Sequence, residues 1–279
     1  MAGLARKAAE AAKGARWRLG DAYEPHIRAQ DLVRGRGKKS RPKYQGREMH
    51  LLSDLEVRAC VHFQWELSVV GIEEQYYLEV EDTVRIAEEA GARHPMEIGT
   101  DQPFEMTTDL VIYYRTDRGE RRLARAIKYS KDVELGLAET DAERRHVAGV
   151  LEKLEIERRY WAERDVHWAV LTERELSEER QRNIEYLLKS ELDRARPDGF
   201  WQEAADRVCA ALVAGDGARV VDLQRELDAD GVLGEADFTE TVRHLCATRQ
   251  LAFDMEKRFS LLRPVSDFTF VAPALKLVG

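Results

Sequence analysis

The sequence predicts an α/β chain: a mixed middle domain, preceded by a basic arm and followed by a smaller helical domain. Three observations lead there. Two β-branched and aromatic runs, TTDLVIYY and RLARAIKYS, flank the polar tetrapeptide Thr116-Asp117-Arg118-Gly119, as strands flank a turn. Next, Val147, Val150, Leu151, Leu154, Tyr160 and Trp161 recur near helical spacing and lead into the apolar run HWAVLTE. Finally, the composition shifts at both ends. Residues 1–50 carry 13 Lys or Arg against 5 Asp or Glu, whereas the whole chain of 279 residues has a net charge of −8. Near residue 190 a polar stretch containing Pro197-Asp198-Gly199 reads as a linker.

These shifts predict an arm over residues 1–47, a catalytic-sized domain over 48–189 and a third segment over 190–279. Within the middle domain the pattern predicts a helix over 54–67 and one or two short strands over 69–80. A short helix over 83–91 ends at Gly91, and strands follow near 107–115 and 121–129. A long helix covers about 141–164, a strand 167–173, and a last helix runs through Ile184 to Leu188. The third segment predicts helices over 201–214, 219–229 and 235–249. LAFDM and RFSLL then form a hairpin turning at Glu256-Lys257. That order is winged-helix-like, a fold used for DNA or protein contacts. The run DGVLGEADFTE offers phosphates little, and Arg243, Arg249, Lys257 and Arg258 are few, so protein binding is favoured there.

Three residues in the middle domain carry the chemistry: Glu56, Asp109 and Lys128. With Asp117 and Arg118 as a two-residue loop, Thr116 pairs with Gly119 and position 109 lies opposite 126. Asp109 and Lys128 are then diagonal neighbours, with Cα atoms roughly 7–8 Å apart. Each residue also has a plain structural reading. Ser53-Asp54-Leu55-Glu56 fits a capping box with Leu52 stapling onto Val57, and an Asp–Lys pair across strands is usually a surface ion pair. Yet Asp109 stands beside Leu110, Val111 and Ile112, where a carboxylate needs a partner or a metal.

The basic run from Arg34 to Arg47 is Gly-containing and broken by Pro42, which predicts an extended, flexible segment. Arg34, Arg36, Lys38, Lys39, Arg41, Lys43 and Arg47 are its candidate DNA contacts, neutralising phosphates without reading sequence. A solvated tail explains the same charges equally well. Its RGRGKKS lacks the GxxxxGK[ST] spacing of a phosphate-binding loop, and no strand precedes it. Residues 2–18 could form a basic amphipathic helix. Cys60, Cys209 and Cys246 are scattered and odd in number, which argues against a disulfide framework or a zinc site, and the seven His residues are equally dispersed. No apolar run approaches a membrane span, and no signal-peptide core opens the chain, so a cytoplasmic protein is expected.

From about residue 48 to 186 the chain resembles the TnsA family, the endonuclease subunits of heteromeric transposases of Tn-seven-type elements. The resemblance runs through LLSDLE, FQWE, IEEQYYLEV, ARHP, MTTD and AIKYS, and is strongest in LEKLEIERRYW. It implies a restriction-endonuclease-like core built as helix, three strands, helix and strand. The family's catalytic Glu, Asp and Lys fall on Glu56, Asp109 and Lys128. It also implies Mg²⁺, with Mn²⁺ as a substitute, held by Glu56 and Asp109. The superfamily usually has an acidic or amide residue two before the Lys, where this chain has Ala126, so the main-chain carbonyl of Ile127 is the expected further ligand. The implied substrate is the 5′ ends of transposon DNA. The implied partners are the DDE transposase TnsB, which cuts and joins the 3′ ends, and the regulatory ATPase TnsC, contacted by the carboxy-terminal domain. A stand-alone restriction or repair nuclease and a catalytically lapsed winged-helix adaptor remain as alternatives.

On the long helix, Glu152, Glu155 and Glu157 are expected mainly on a solvated face with Lys153, Arg158 and Arg159, with Glu157 the candidate for the metal's surroundings. Tyr160, Trp161 and Trp65 are expected in the core, and Glu66 near the site.

Overall fold

The computed structural model describes residues 23–27, 43–44 and 47–271. These fall into two compact units divided between Ser177 and Glu178. The first opens on a short antiparallel pair, β1 (Lys43–Tyr44) and β2 (Arg47–Glu48). Helix α1 (Asp54–Trp65) follows, then β3 (Val69–Tyr77), α2 (Val80–Ala90), β4 (Thr107–Thr116) and β5 (Gly119–Ile127). The single turn α3 (Ser130–Val133), the long α4 (Asp141–Ala162) and β6 (His167–Leu171) complete it.

The sheet has the order β3-β4-β5-β6, antiparallel except for the parallel pair β5 and β6. Helix α4 supplies the crossover that a parallel connection requires. The expected hairpin register is present: Thr116 pairs with Gly119, and Leu110 with Arg125. Alternation along β4 divides the core in two. Leu110 and Ile112 meet Leu55, Ala59 and Cys60 of α1, while Val111 and Tyr113 meet Ile86 of α2 and Ile156, Tyr160 and Trp161 of α4. The sheet is thus covered on both faces, with Tyr160 and Trp161 as core anchors, as expected.

Local signals explain the helix ends. Thr140 closes a capping box on α4, its hydroxyl accepting from the Glu143 amide while the Glu143 carboxylate accepts from the amide of Thr140. Gly91 stops α2 with φ +63°, a conformation that costs a glycine little.

The second unit contains α5 (Glu178–Leu188), α6 (Phe200–Ala214), α7 (Val220–Ala229), α8 (Glu235–Ala247), β7 (Leu251–Phe253) and β8 (Phe268–Phe270). The division falls one helix earlier than residue 190. The Asn183 side chain on α5 donates to the carbonyls of Met255 (2.8 Å) and Lys257 (3.0 Å), and Arg243 donates to Tyr186 O at 2.9 Å. The hairpin turning at Glu256-Lys257 does not form, because β7 pairs with β8 instead. The backbone of RFSLL has other partners: Phe259 N–H donates to Asn183 Oδ1, and Leu261 O accepts from Val221 N–H at 2.7 Å. Periodicity reports a strand-like run but not what its amides bond to.

Candidate functional site

Glu56 stands in the first turn of α1, where Ser53 is the N-cap and its hydroxyl accepts from the Glu56 amide at 3.1 Å. The Glu56 carboxylate is buried and turned back on the same turn. Oε1 accepts from the Ser53 hydroxyl at 2.9 Å, and Oε2 accepts from Leu52 N–H at 2.9 Å and from Gln75 Nε2 at 3.2 Å. The capping reading and the site reading of Glu56 are therefore compatible: the cap is what holds the carboxylate still.

Asp109 and Lys128 meet as the hairpin register requires, with Lys128 Nζ donating to Asp109 Oδ2 at 2.6 Å. The Ile127 amide donates to the same oxygen at 2.7 Å, so both protein donors converge on Oδ2. Among the described residues, Oδ1 accepts no hydrogen bond. Beyond Lys128, the Glu173 carboxylate accepts from the Ser130 amide at 2.9 Å and from its hydroxyl, fixing the chain as it leaves β5.

Burial, followed by the negative charge of Asp109, pushes the Glu56 carboxyl up to about 7. The same two causes push Glu157 up to about 7. Burial alone would lower Lys128, but the charge and hydrogen bond of Asp109, with Glu157 and Glu56 behind them, outweigh it and raise the ammonium's pKa. Three carboxyl groups with one ammonium leave the site short of positive charge.

Glu157 is not on the solvated face of α4. It is buried, and its Oε1 accepts from Thr108 Oγ1 at 2.8 Å and Trp168 Nε1 at 2.9 Å. Trp161 Nε1 donates to the same Thr108 hydroxyl at 2.7 Å. The run LEKLEIERRYW thus clamps the residue just before Asp109. Glu155 pairs with Arg158 and Arg159 and Glu152 with Arg93, as solvated charges do. Glu66 does not join the site. It caps the far end of α1, exposed and about 15 Å along the helix from Glu56.

Gln75 was not among the expected site residues. It lies on β3 directly beside Asp109, and its amide both donates to Glu56 and accepts from Thr107 Oγ1 at 3.1 Å. Nothing in IEEQYY marks the Gln apart from its neighbours; only the register of β3 against β4 does.

Of the candidate DNA contacts, Arg34, Arg36, Lys38, Lys39 and Arg41 lie outside the described residues, as does the helix expected over 2–18. Lys43 is described only as part of β1. Arg47 is part of the fold rather than of a free arm. Its guanidinium forks onto Glu74, Nη1 to Oε1 at 2.8 Å and Nη2 to Oε2 at 2.7 Å, and Nη2 also donates to Ile72 O at 3.1 Å. A cleft of about 750 Å³ at the hairpin end, lined by Arg118, Arg121, Arg122 and Arg164, contains none of the site residues.

The donor set fits a hard divalent cation. Its oxygens are carboxylates, and among the described residues no Cys or His accompanies them and one oxygen of Asp109 has no protein donor. Among the described residues no group of three or more His, Cys, Asp or Glu side chains is placed to hold a metal, so two carboxylates would share the task with non-side-chain oxygens.

Residues 66–173 match the family model described as TnsA-like endonuclease N terminal, a segment that contains Asp109 and Lys128. The chain is 31% identical over 169 residues to the Transposon Tn7 transposition protein TnsA of Escherichia coli. That match covers 60% of this chain, which spans just over half (56%) of the relative's length. The chain is thus similar to TnsA endonucleases over part of its length, and its first unit is a mixed α/β domain built around a central sheet. No helix among the described residues is long and apolar enough to cross a membrane.

Proposed function

We propose that this TnsA-like chain is the DNA endonuclease subunit of a cut-and-paste transposase, hydrolysing phosphodiesters at the 5′ ends of its transposon. The observation that carries the reading is the convergence of Glu56, Asp109 and Lys128. A helix cap, a mid-strand position and a strand end bring a buried Glu56 within electrostatic reach of the half-buried Asp109–Lys128 pair.

Glu56, Asp109 and the carbonyl of Ile127 would hold Mg²⁺ or Mn²⁺. When bound, the metal supplies Lewis acidity: it lowers the pKa of a water and neutralises charge on the phosphate. The chain's own groups do the rest. Lys128, kept protonated by Asp109, Glu157 and Glu56, orients the attacking water and offsets negative charge developing on the phosphorane. Glu56, poised near 7, ionises more readily when positive charge enters the site. Glu157 and Trp161, through Thr108, keep Asp109 in place.

The arm, including Lys38, Lys39 and Arg41, supplies sequence-independent affinity for phosphates. The second unit, in which α6, α7 and α8 follow α5 and lead into an antiparallel strand pair, supports a winged-helix-like, protein-binding domain, and the regulatory ATPase TnsC is its proposed partner. The DDE transposase TnsB is the partner for the 3′ ends. The catalytically lapsed alternative is weakened by the intact Asp109–Lys128 pair.

The test is cleavage of a transposon-end duplex labelled separately on each strand, with Mg²⁺ and a DDE transposase from the same element. The expected product is a 5′-strand cut that disappears with Asp109→Ala while the 3′ cut persists. Vigorous cutting of random DNA by the chain alone would favour the stand-alone nuclease instead.

A further inference from the structure

Ala126 leaves the position two before Lys128 without a polar side chain, yet a polar side chain does stand beside Asp109, on the other neighbouring strand. Glu74 pairs with Leu110 and Tyr76 with Thr108, which places Gln75 opposite Asp109 on one flank; Ala126 occupies the other flank. Gln75 is 2% exposed and has φ +50°, a left-handed conformation uncommon for a non-glycine residue.

That conformation breaks the alternation of the strand. Glu74 shares its register with Leu110, which faces α1, whereas Tyr76 packs against the cluster on the α4 side. A regular strand would send both to one face. The break turns the Gln75 amide toward α1. There, Nε2 donates to Glu56 Oε2 at 3.2 Å while Oε1 accepts from the Thr107 hydroxyl at 3.1 Å. Both ends of the amide are committed, its nitrogen donating to Glu56 and its oxygen accepting from Thr107. A strained backbone persists where its surroundings enforce it, and here those surroundings are the site itself.

We propose that Gln75 is a positioning residue for Glu56, an amide supplied from β3 where β5 offers only Ala126. With Leu52 N–H and the Ser53 hydroxyl, it holds the carboxylate in one orientation, so that the remaining lone pairs are presented beside Asp109. The role rests on the metal-dependent nuclease reading, because only there does the orientation of Glu56 matter.

The test uses the full chain with Gln75→Gly and Gln75→Met, alongside Asp109→Ala. Glycine accepts φ +50° without strain and removes the amide; Met keeps the length and bulk but donates no hydrogen bond. Calorimetry with Mn²⁺, strand cleavage over a Mn²⁺ titration and thermal unfolding without metal are measured for each. In Gln75→Gly the relieved backbone strain works against the loss of two hydrogen bonds and of a buried side chain, and thermal unfolding without metal should show that the variant is folded. Its Mn²⁺ affinity should nevertheless fall about 10- to 100-fold, with cleavage recovering at raised Mn²⁺. Gln75→Met should weaken Mn²⁺ binding alike, and decides the matter if the glycine variant does not fold. Wild-type Mn²⁺ affinity and cleavage in a folded Gln75 variant would overturn the positioning role alone, provided Asp109→Ala loses both. Retention of both by Asp109→Ala would overturn the nuclease reading and this inference with it.

Discussion

Replacing Arg47 by Ala separates a structural arginine from a DNA-binding one. Glu74 has no exposed side-chain surface and Arg47 only 24%, and the two share a two-pronged ion pair. The variant leaves the Glu74 carboxylate buried with the His50 amide as its remaining donor among the described residues, and Ile72 O without its guanidinium donor. Removing one partner of a buried pair costs about 3–5 kcal/mol, and the partial exposure of Arg47 places the expected loss near the lower end, about 3 kcal/mol. At ~2–4 °C per kcal/mol for a chain of this size, the midpoint should fall by roughly 6–12 °C. Urea and thermal unfolding measure the loss. Adding Glu74→Leu should restore much of it, because an apolar pair needs no counter-charge. An unchanged midpoint together with weaker DNA binding would refute the structural assignment and return Arg47 to the arm.

Burial pushes the Glu73 carboxyl up to about 7, so the folded chain holds a proton there that the unfolded chain releases near its ordinary value. That contribution to stability is full at low pH and is lost as pH rises through 7. Glu73→Gln should therefore be more stable than wild type by about 2–3 kcal/mol at pH 8 and by much less at pH 5. Urea titrations giving equal differences at both pH values would contradict the burial account. Calorimetry should show Mg²⁺ or Mn²⁺ binding that vanishes in Asp109→Ala; undiminished binding would remove Asp109 from the ligand set. Replacing Arg34, Arg36, Lys38, Lys39 and Arg41 together by Ala, which spares Arg47 and the contacts of Tyr23 with Glu74 and of His26 with Glu105, should weaken binding to transposon-end and random duplexes equally and flatten its salt dependence. A loss confined to transposon ends would assign sequence reading to the arm.

Much of the first unit was legible because its signals are local. The polar tetrapeptide set the β4–β5 register and with it the Asp109–Lys128 contact, and Ser53 announced α1 three residues before Glu56. Non-local features were hidden. Glu157 reads as one of several charges on a helix until Thr108 and Trp168 are seen to bond it. Gln75 became visible only from the pairing of β3 with β4 and a positive φ. Arg47 looked like arm because its partner, Glu74, is 27 residues away. In the second unit, RFSLL had strand-like composition, but its amides and carbonyls are taken by Asn183 and α7, so the strand paired with β7 comes later in the chain.

The central claim is that this chain cuts the strand its transposase partner leaves intact, and the products of a complete transposition reaction test it most directly. With wild-type protein the expected product is a simple insertion, free of donor DNA. With Asp109→Ala or Lys128→Ala, each shown to be folded, the 3′ ends should still join the target while the 5′ ends stay attached. The product should therefore become a branched or cointegrate molecule carrying the donor. Simple insertions at the wild-type level from a folded Asp109→Ala protein would contradict the account.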